Sequence, residues 1–273
     1  MTLDYFYINK DLDSFELIHR CFENLLVDKH KNRIFYVHNL GKFDAIFIIK
    51  ALSTYNQYLD NPYYFSHVDR NGDFIKLVIK RRINKKVRTV TLQDSWALLP
   101  LSLRDLCKAY EVKITKSFFP YSFVDENTLW YKGKTPAKFY YPSNLSTKEY
   151  NRLVKNNWEL MYETLIYLQQ DLRSLHEVLR VVNKNIFIMF GTQMTESNTC
   201  SSLGLKILFT KFNSPSLIIP SITDKDIYRD INYSYYGGRV EVFKPHGLNL
   251  FYYDVNSLYP FASLNTLCGL KGS

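Results

Sequence analysis

Residues 34–52, IFYVHNLGKFDAIFIIKAL, decide the fold. IFYV has the length and composition of a short buried strand, and His38, Asn39, Leu40 and Gly41 break it. Phe43 to Leu52 then runs for a helical length without a breaker. Strand, polar turn and helix in that order are the unit of an α/β fold. Working outward, the apolar spacing of 11–28 (DLDSFELIHRCFENLLVD) predicts an amphipathic helix before this unit. After it, 74–80 and 87–93 are β-rich runs. The basic segment Lys80, Arg81, Arg82, Ile83, Asn84, Lys85 and Lys86 joins them and predicts a hairpin. Leu101 to Tyr110 predicts another helix.

Residues 118–145 are rich in aromatics, Pro, Gly and Asn, the composition of an irregular connection. Ser146 followed by Glu149 is a capping-box pattern that opens a helical region. Between Trp158 and Val182 there is no Pro or Gly, and the leucines keep helical spacing. Strand-like residues follow at 186–190, a helix near 201–212, and two further strand candidates at 239–243 and 249–254. The end of the long helical region predicts a domain boundary near 183–200.

The chain has 273 residues, 46% hydrophobic and 22% charged, enough to bury a sizeable core. It carries 35 Lys+Arg against 26 Asp+Glu, a net charge of +9, so a polyanion is a natural partner. No apolar run approaches the roughly 18–20 residues of a membrane span. The start, MTLDYFYINKDLDSFE, has neither a signal-peptide nor a transit-peptide pattern. Cys21, Cys107, Cys200 and Cys268 lie far apart without CxxC spacing, which points to buried thiols in a reducing compartment rather than to zinc or disulfides. Aromatics reach 16%. Coding bias toward AT-rich codons gives such a count, and so do stacking surfaces for unpaired bases.

Four segments could carry chemistry. Asp44, at a strand–helix junction, can hold a divalent cation, because Mg²⁺ favours one or two carboxylates plus phosphate oxygens; it can equally cap the helix. Tyr167 and Asp171 stand one turn apart on a helix, where a phenol orienting water beside a metal-bound carboxylate suits phosphodiester hydrolysis. The same spacing also belongs to ordinary solvated helix faces. In Tyr235-Tyr236-Gly237-Gly238-Arg239, paired glycines let the backbone approach a sugar-phosphate chain, or simply make a turn before a strand. In Tyr253-Asp254-Val255-Asn256-Ser257-Leu258-Tyr259-Pro260, a strand ends on Asp254 and turns into a helix. That would gather a carboxylate, backbone N–H groups and a ring around a triphosphate-sized site.

Together these segments resemble, in order, the motifs of family B DNA polymerases. HNLGKFD is similar to the second exonuclease motif and YLQQD to the third. YYGG is similar to the Tyr-x-Gly-Gly motif of the protein-primed branch, and DVNSLYP to polymerase motif A. The nearest likeness is to the protein-primed enzymes of fungal and plant mitochondrial linear plasmids and of small phages. The resemblance implies an incomplete ribonuclease-H-like 3′-5′ exonuclease domain over 1–184, then the first part of a polymerase palm over 185–273. It implies metal ligation by Asp44, Asp171 and Asp254, with Tyr167 as the catalytic tyrosine. His38, Asn39 and Phe43 are implied to hold single-stranded DNA, as is Ser95 in DSWALLP, where Trp96 replaces the family's Leu. Tyr235, Gly237 and Gly238 are implied to grip template, and Ser257, Leu258 and Tyr259 to hold the incoming nucleotide, Tyr259 excluding ribose. Implied too are Mg²⁺ or Mn²⁺ and partners that include a primer end, a template, deoxynucleoside triphosphates and a terminal protein primer. No membrane is involved, and the implied location is mitochondrial.

The sequence also departs from that pattern. The family's first exonuclease motif is Asp-x-Glu, and the segment ahead of HNLGKFD offers Asp4, Asp11, Asp13, Glu16 and Glu23 but no such pair. After Pro260 only 261–273 remain, without Asp or Glu. The expectation is a piece of a polymerase, inactive alone. Its rivals are a non-catalytic module binding single-stranded DNA and an inert relic of plasmid integration.

Overall fold

Leu77, Ile79, Val90 and Leu92 alternate along two neighbouring strands and are 0–4% exposed. That period of two selects the face on which the first core forms. The computed structural model describes residues 4–8, 13–113, 118–213, 222–235, 246–251 and 253–265. Two compact units divide the chain, 1–215 and 216–273.

The first unit opens with α1 (Ser14–Leu25), whose N-cap Asp13 accepts from Glu16 N at 2.7 Å. β1 (Ile34–Val37) leads through the polar turn into α2 (Asp44–Tyr55). β1 is half-exposed rather than buried, with Ile34 open to solvent. β2 (Tyr64–Arg70), β3 (Asp73–Ile83) and β4 (Lys86–Asp94) form an antiparallel meander. β1 lies parallel to β4, so the order is β1-β4-β3-β2. Both meander turns have two residues in the left-handed region, Asn71 and Gly72 at φ 54° and 87°, Asn84 and Lys85 at 49° and 64°. This is the backbone that matches strand twist in tight hairpins. Phe22, Leu26, Ala45 and Leu52 of the α1–α2 side close over Leu77, Ile79, Val90 and Leu92. Each such burial contributes about 2 kcal/mol of transfer free energy for a leucine-sized side chain.

After the sheet come α3 (Leu103–Ala109), β5 (Lys132–Gly133), α4 (Thr147–Leu153) and β6 (Trp158–Glu159). The 31-residue α5 (Leu160–Phe190) and α6 (Cys200–Ile207) follow. The Ser146–Glu149 capping box forms at α4 as expected. Leu103 and Leu106, Leu175, Val178 and Val182, and Leu203 make a second core, against which Tyr36 of β1 packs. Gln93 donates to Ser197 O at 3.0 Å and ties the sheet to the segment before α6.

Several expectations fail here. Residues 186–190 are the last turn and a half of α5, not a strand. Each residue added to a formed helix gains a backbone bond, which outweighs the β-propensity of Ile and Phe, and Gly191 (φ 68°) stops the helix only after Phe190. A boundary at 184/185 would fall inside α5, whereas the compact units divide at 215/216. β2 is present although no strand is expected there.

The second unit contains α7 (Lys225–Ser234), capped by Asp224, and α8 (Leu258–Asn265). The strand expected at 249–254 is absent among the described residues. Leu250, Phe251 and Tyr253 are 78–87% exposed there. With no buried face and no partner, an extended segment has nothing to hold it as a strand. The expected strand 239–243 lies outside the described residues. No described helix is long and apolar enough to cross a membrane.

Candidate functional site

Because β1 and β4 are parallel, their carboxyl ends emerge side by side, with Val37 opposite Asp94. Loops leaving such ends form the usual ligand crevice of α/β sheets. Asp94 fixes that end of the sheet. It is 6% exposed, its Oδ1 accepts the N–H groups of Asn39 and Trp96 at 2.8 Å each, and its Oδ2 accepts Gly41 N–H at 3.3 Å. One carboxylate thereby clamps both loops.

The clamped turn is tight. Asn39 sits at φ 69°, a left-handed conformation that Asn tolerates better than most residues. A Cβ on Gly41 would lie 2.8 Å from both N and O of Phe74 on β3, so only glycine fits that approach. The turn delivers Asp44 as the first residue of α2.

Asp44 and Asp171 line one cavity of about 470 Å³, together with His38, Asn39, Trp96 and Leu168. Asp44 is an exposed residue, yet its carboxyl is partly screened from water. That desolvation, with the Asp94 carboxylate nearby, pushes its pKa above the ordinary range, although its own backbone N–H partly offsets the shift. Asp171 rises from α5, and the Tyr167 hydroxyl one turn earlier bonds to it and to the Tyr121 hydroxyl. Burial, the Tyr121 bond and the Asp171 charge raise the Tyr167 pKa far above a free phenol's. The phenol therefore keeps its proton and can donate it to the Asp171 carboxylate, its hydroxyl also lying in hydrogen-bond contact with that of Tyr121. Phe119 packs on the Tyr167 ring at 5.1 Å between centroids and holds it in place.

Two expected nucleic-acid contacts are tied to the chain's own groups, Ser95 in the interior and His38 at the cavity wall. Ser95 is fully buried, and its hydroxyl is bonded to Val37 O at 3.2 Å and to His38 Nδ1 at 3.0 Å. His38 Nε2 donates to Leu101 O at 3.0 Å. Trp96 in the cavity's lining is half-buried, under Lys42 at 6.0 Å, and the Phe43 ring, from the residue before Asp44, is 59% exposed.

The donor set fits a hard divalent cation in part. Two carboxylates share the cavity, but among the described residues no group of three or more His, Cys, Asp or Glu side chains could hold a metal. Mg²⁺ accepts one or two carboxylates when phosphate oxygens and water complete its shell, so one ion is accommodated with substrate present.

In the second unit Asp254, Ser257, Leu258 and Tyr259 are all exposed, Tyr259 at 72%, and Ser257 turns into α8 at φ 55°. Tyr235, at the end of α7, is 81% exposed. Gly237 and Gly238 lie outside the described residues. Sequence reasoning missed the roles of Asp94 and Tyr121. For Asp94 a signal existed, since an Asp directly after a β-rich run often bonds the N–H two residues on, as it does to Trp96. Tyr121 gave none, because its partner is distant in sequence.

Residues 26–271 match the family described as DNA polymerase type B, organellar and viral. A protein of Podospora anserina described as a probable DNA polymerase is 35% identical over 97% of this chain and 25% of its own length. A Neurospora intermedia protein of the same description is 35% identical over 88% of this chain and again 25% of its own length. The chain thus spans about a quarter of these relatives. A solved structure of Phi29 DNA polymerase, complexed with primer-template DNA and incoming nucleotide substrates, aligns over 81% of this chain and 33% of that one, at 20% identity and TM-score 0.45. From the family match and the identities to the fungal proteins, the chain belongs to the organellar and viral type B DNA polymerases.

Proposed function

We propose that the protein is part of a protein-primed DNA-directed DNA polymerase that replicates DNA in the mitochondrion. In this reading the first unit edits the primer end by 3′→5′ hydrolysis, and the second contributes to the first part of the palm. One observation carries the editing role: Asp44 and Asp171, distant in sequence, line the same cavity beside Asn39 and His38.

Asp44 and Asp171 would hold Mg²⁺ or Mn²⁺. When bound, the ion supplies charge neutralisation and acidifies water for attack on a phosphodiester. The chain's own residues do the rest. Tyr167 donates to Asp171 and fixes its rotamer, and Tyr121 fixes Tyr167. Asp94 holds the turn that aims Asn39 and Asp44. Trp96 in the cavity's lining and the exposed Phe43 ring next to Asp44 would offer stacking faces to unpaired bases. In the palm piece, Asp254 would be a metal ligand, Ser257, Leu258 and Tyr259 would meet a deoxynucleoside triphosphate, and Tyr235, Gly237 and Gly238 the template. A terminal protein primer is the remaining partner of this reading.

The test is hydrolysis of a labelled single-stranded oligonucleotide with Mg²⁺ or Mn²⁺. Two carboxylates hold metal poorly, so slow trimming from the 3′ end is expected, and it should vanish in Asp44→Ala and in Asp171→Ala. Trimming that survives both substitutions would sink the assignment.

A further inference from the structure

The face of the sheet turned away from α1 and α2 is covered only near the carboxyl ends of β1 and β4, where Tyr36 and Gln93 meet the second core and Ser197. Toward the other end it is bare. Tyr64 of β2 and Val87 of β4 are 63% and 62% exposed there, and Val68, two strands across from Gln93 on the edge strand, is 46% exposed. The register sets Tyr64 opposite Lys80, Lys80 opposite Thr89, and Arg82 opposite Val87, with Lys76 opposite Val68. Lys76, Lys80 and Arg82 therefore stand in a row on β3. None of the outward positions between Tyr64 and Val68, Lys76 and Arg82, or Val87 and Thr91 is acidic.

The other two hairpin arginines point the opposite way and are engaged: Arg81 pairs with Glu23, and Arg88 with Asp28 at 2.6 Å. Lys80 and Arg82 pair with no carboxylate among the described residues. With Tyr64, Val87 and Asn61 they line a cavity of about 400 Å³, with Asp60 also in its lining. We propose that this outer face binds single-stranded DNA, with Tyr64 stacking on a base and Lys80 and Arg82 holding phosphates two nucleotides apart on the same strand.

The chemistry selects that occupant. An exposed aromatic ring beside unpaired cations suits an unstacked base and its backbone, and a polyanion complements a row without carboxylates. Lys80 and Arg82 lie about 6.6 Å apart along β3 at ~3.3 Å per residue, close to the rise of two stacked nucleotides at about 3.4 Å each. Thr89 is about 17 Å along β4 from Asp94 on the same spacing, so this surface is separate from the cavity of Asp44 and Asp171. The inference rests on the proposed function only in choosing DNA over RNA.

Fluorescence anisotropy of a labelled oligothymidylate, titrated with the full chain in EDTA at low salt, tests it. Lys80→Gln with Arg82→Gln should weaken binding at least tenfold and flatten the salt slope by about 1.4, two contacts at ~0.7 each. Tyr64→Ala should weaken it about tenfold at unchanged slope, and Tyr64→Phe should restore it. Lys80, Arg82 and Tyr64 do not line the cavity of Asp44 and Asp171, so loss of hydrolysis in Asp44→Ala or Asp171→Ala leaves this surface standing. Unchanged affinity in both the Lys80/Arg82 and Tyr64 variants would overturn the proposal. Duplex DNA competing as well as the single strand would overturn it too, since a paired base cannot stack on Tyr64. Displacement by polyglutamate at equal charge would assign the face to an acidic protein instead.

Discussion

Asp94 carries more of the site's geometry than either expected metal ligand. Its carboxylate satisfies three backbone N–H groups that would otherwise be stranded in a turn closed against β3. Hydrogen bonds to a charged group are worth about 1.5–3 kcal/mol each, but they share one carboxylate and are not additive. Asp94→Ala should therefore cost about 3 kcal/mol in urea unfolding and abolish any trimming; an unchanged midpoint would refute the clamp. Asp44 behaves oppositely. Its pKa is raised in the folded chain, so above the ordinary carboxyl range its ionised form burdens the native state. Asp44→Asn should then leave stability near pH 3 unchanged and increase it progressively toward pH 7, while removing activity. Thermal unfolding across that range checks the sign. Asp44, Tyr167 and Asp171 were legible because short motifs carry them. The inward turn of Ser95 was not, since nothing local distinguishes a hydroxyl that faces DNA from one that bonds His38.

At the scale of elements, legibility followed range. The α4 capping box and the β1–turn–α2 unit are encoded within a few residues and formed as expected. β2 had a readable mark, the Asn71-Gly72 pair between alternating runs, the strongest short-range hairpin signal, and it was passed over. The 186–190 segment misled because its β-branched and aromatic residues extend a helix begun 26 residues earlier, at Leu160. The second hairpin turn gives a direct test. Lys85 occupies φ 64°, a conformation costing a residue with a Cβ about 1 kcal/mol. Lys85→Gly should raise stability by roughly 0.5–1 kcal/mol, with no change in hydrolysis. A loss of stability would show that unfolded-chain entropy of glycine dominates.

For the molecule as a whole, the unit division at 215/216 has a mark in the sequence, the Ser- and Pro-rich stretch 213–221, NSPSLIIPS, which signals irregular chain without by itself signalling a boundary. The last carboxylate in the chain is Asp254, exposed and followed by none. Phosphoryl transfer depends on aligning metal, triphosphate and primer hydroxyl, and a misplacement of about 1 Å costs roughly 10²-fold. A 273-residue protein of this sequence should incorporate no nucleotide on a primed template. Primer extension that disappears in Asp254→Asn would contradict this. A last consequence follows from β1, whose strand partner among the described residues is β4, with 34–37 set against 91–94. Parallel pairing across so long a span is slow, because closing the loop costs entropy before any contact returns it. On the ribosome, a nascent chain that has not yet reached Asp94 carries Asn39, Phe43 and Asp44 in a turn that nothing has locked. Whatever nuclease capacity these residues have therefore waits until the meander has closed behind them and α5 has brought in Asp171.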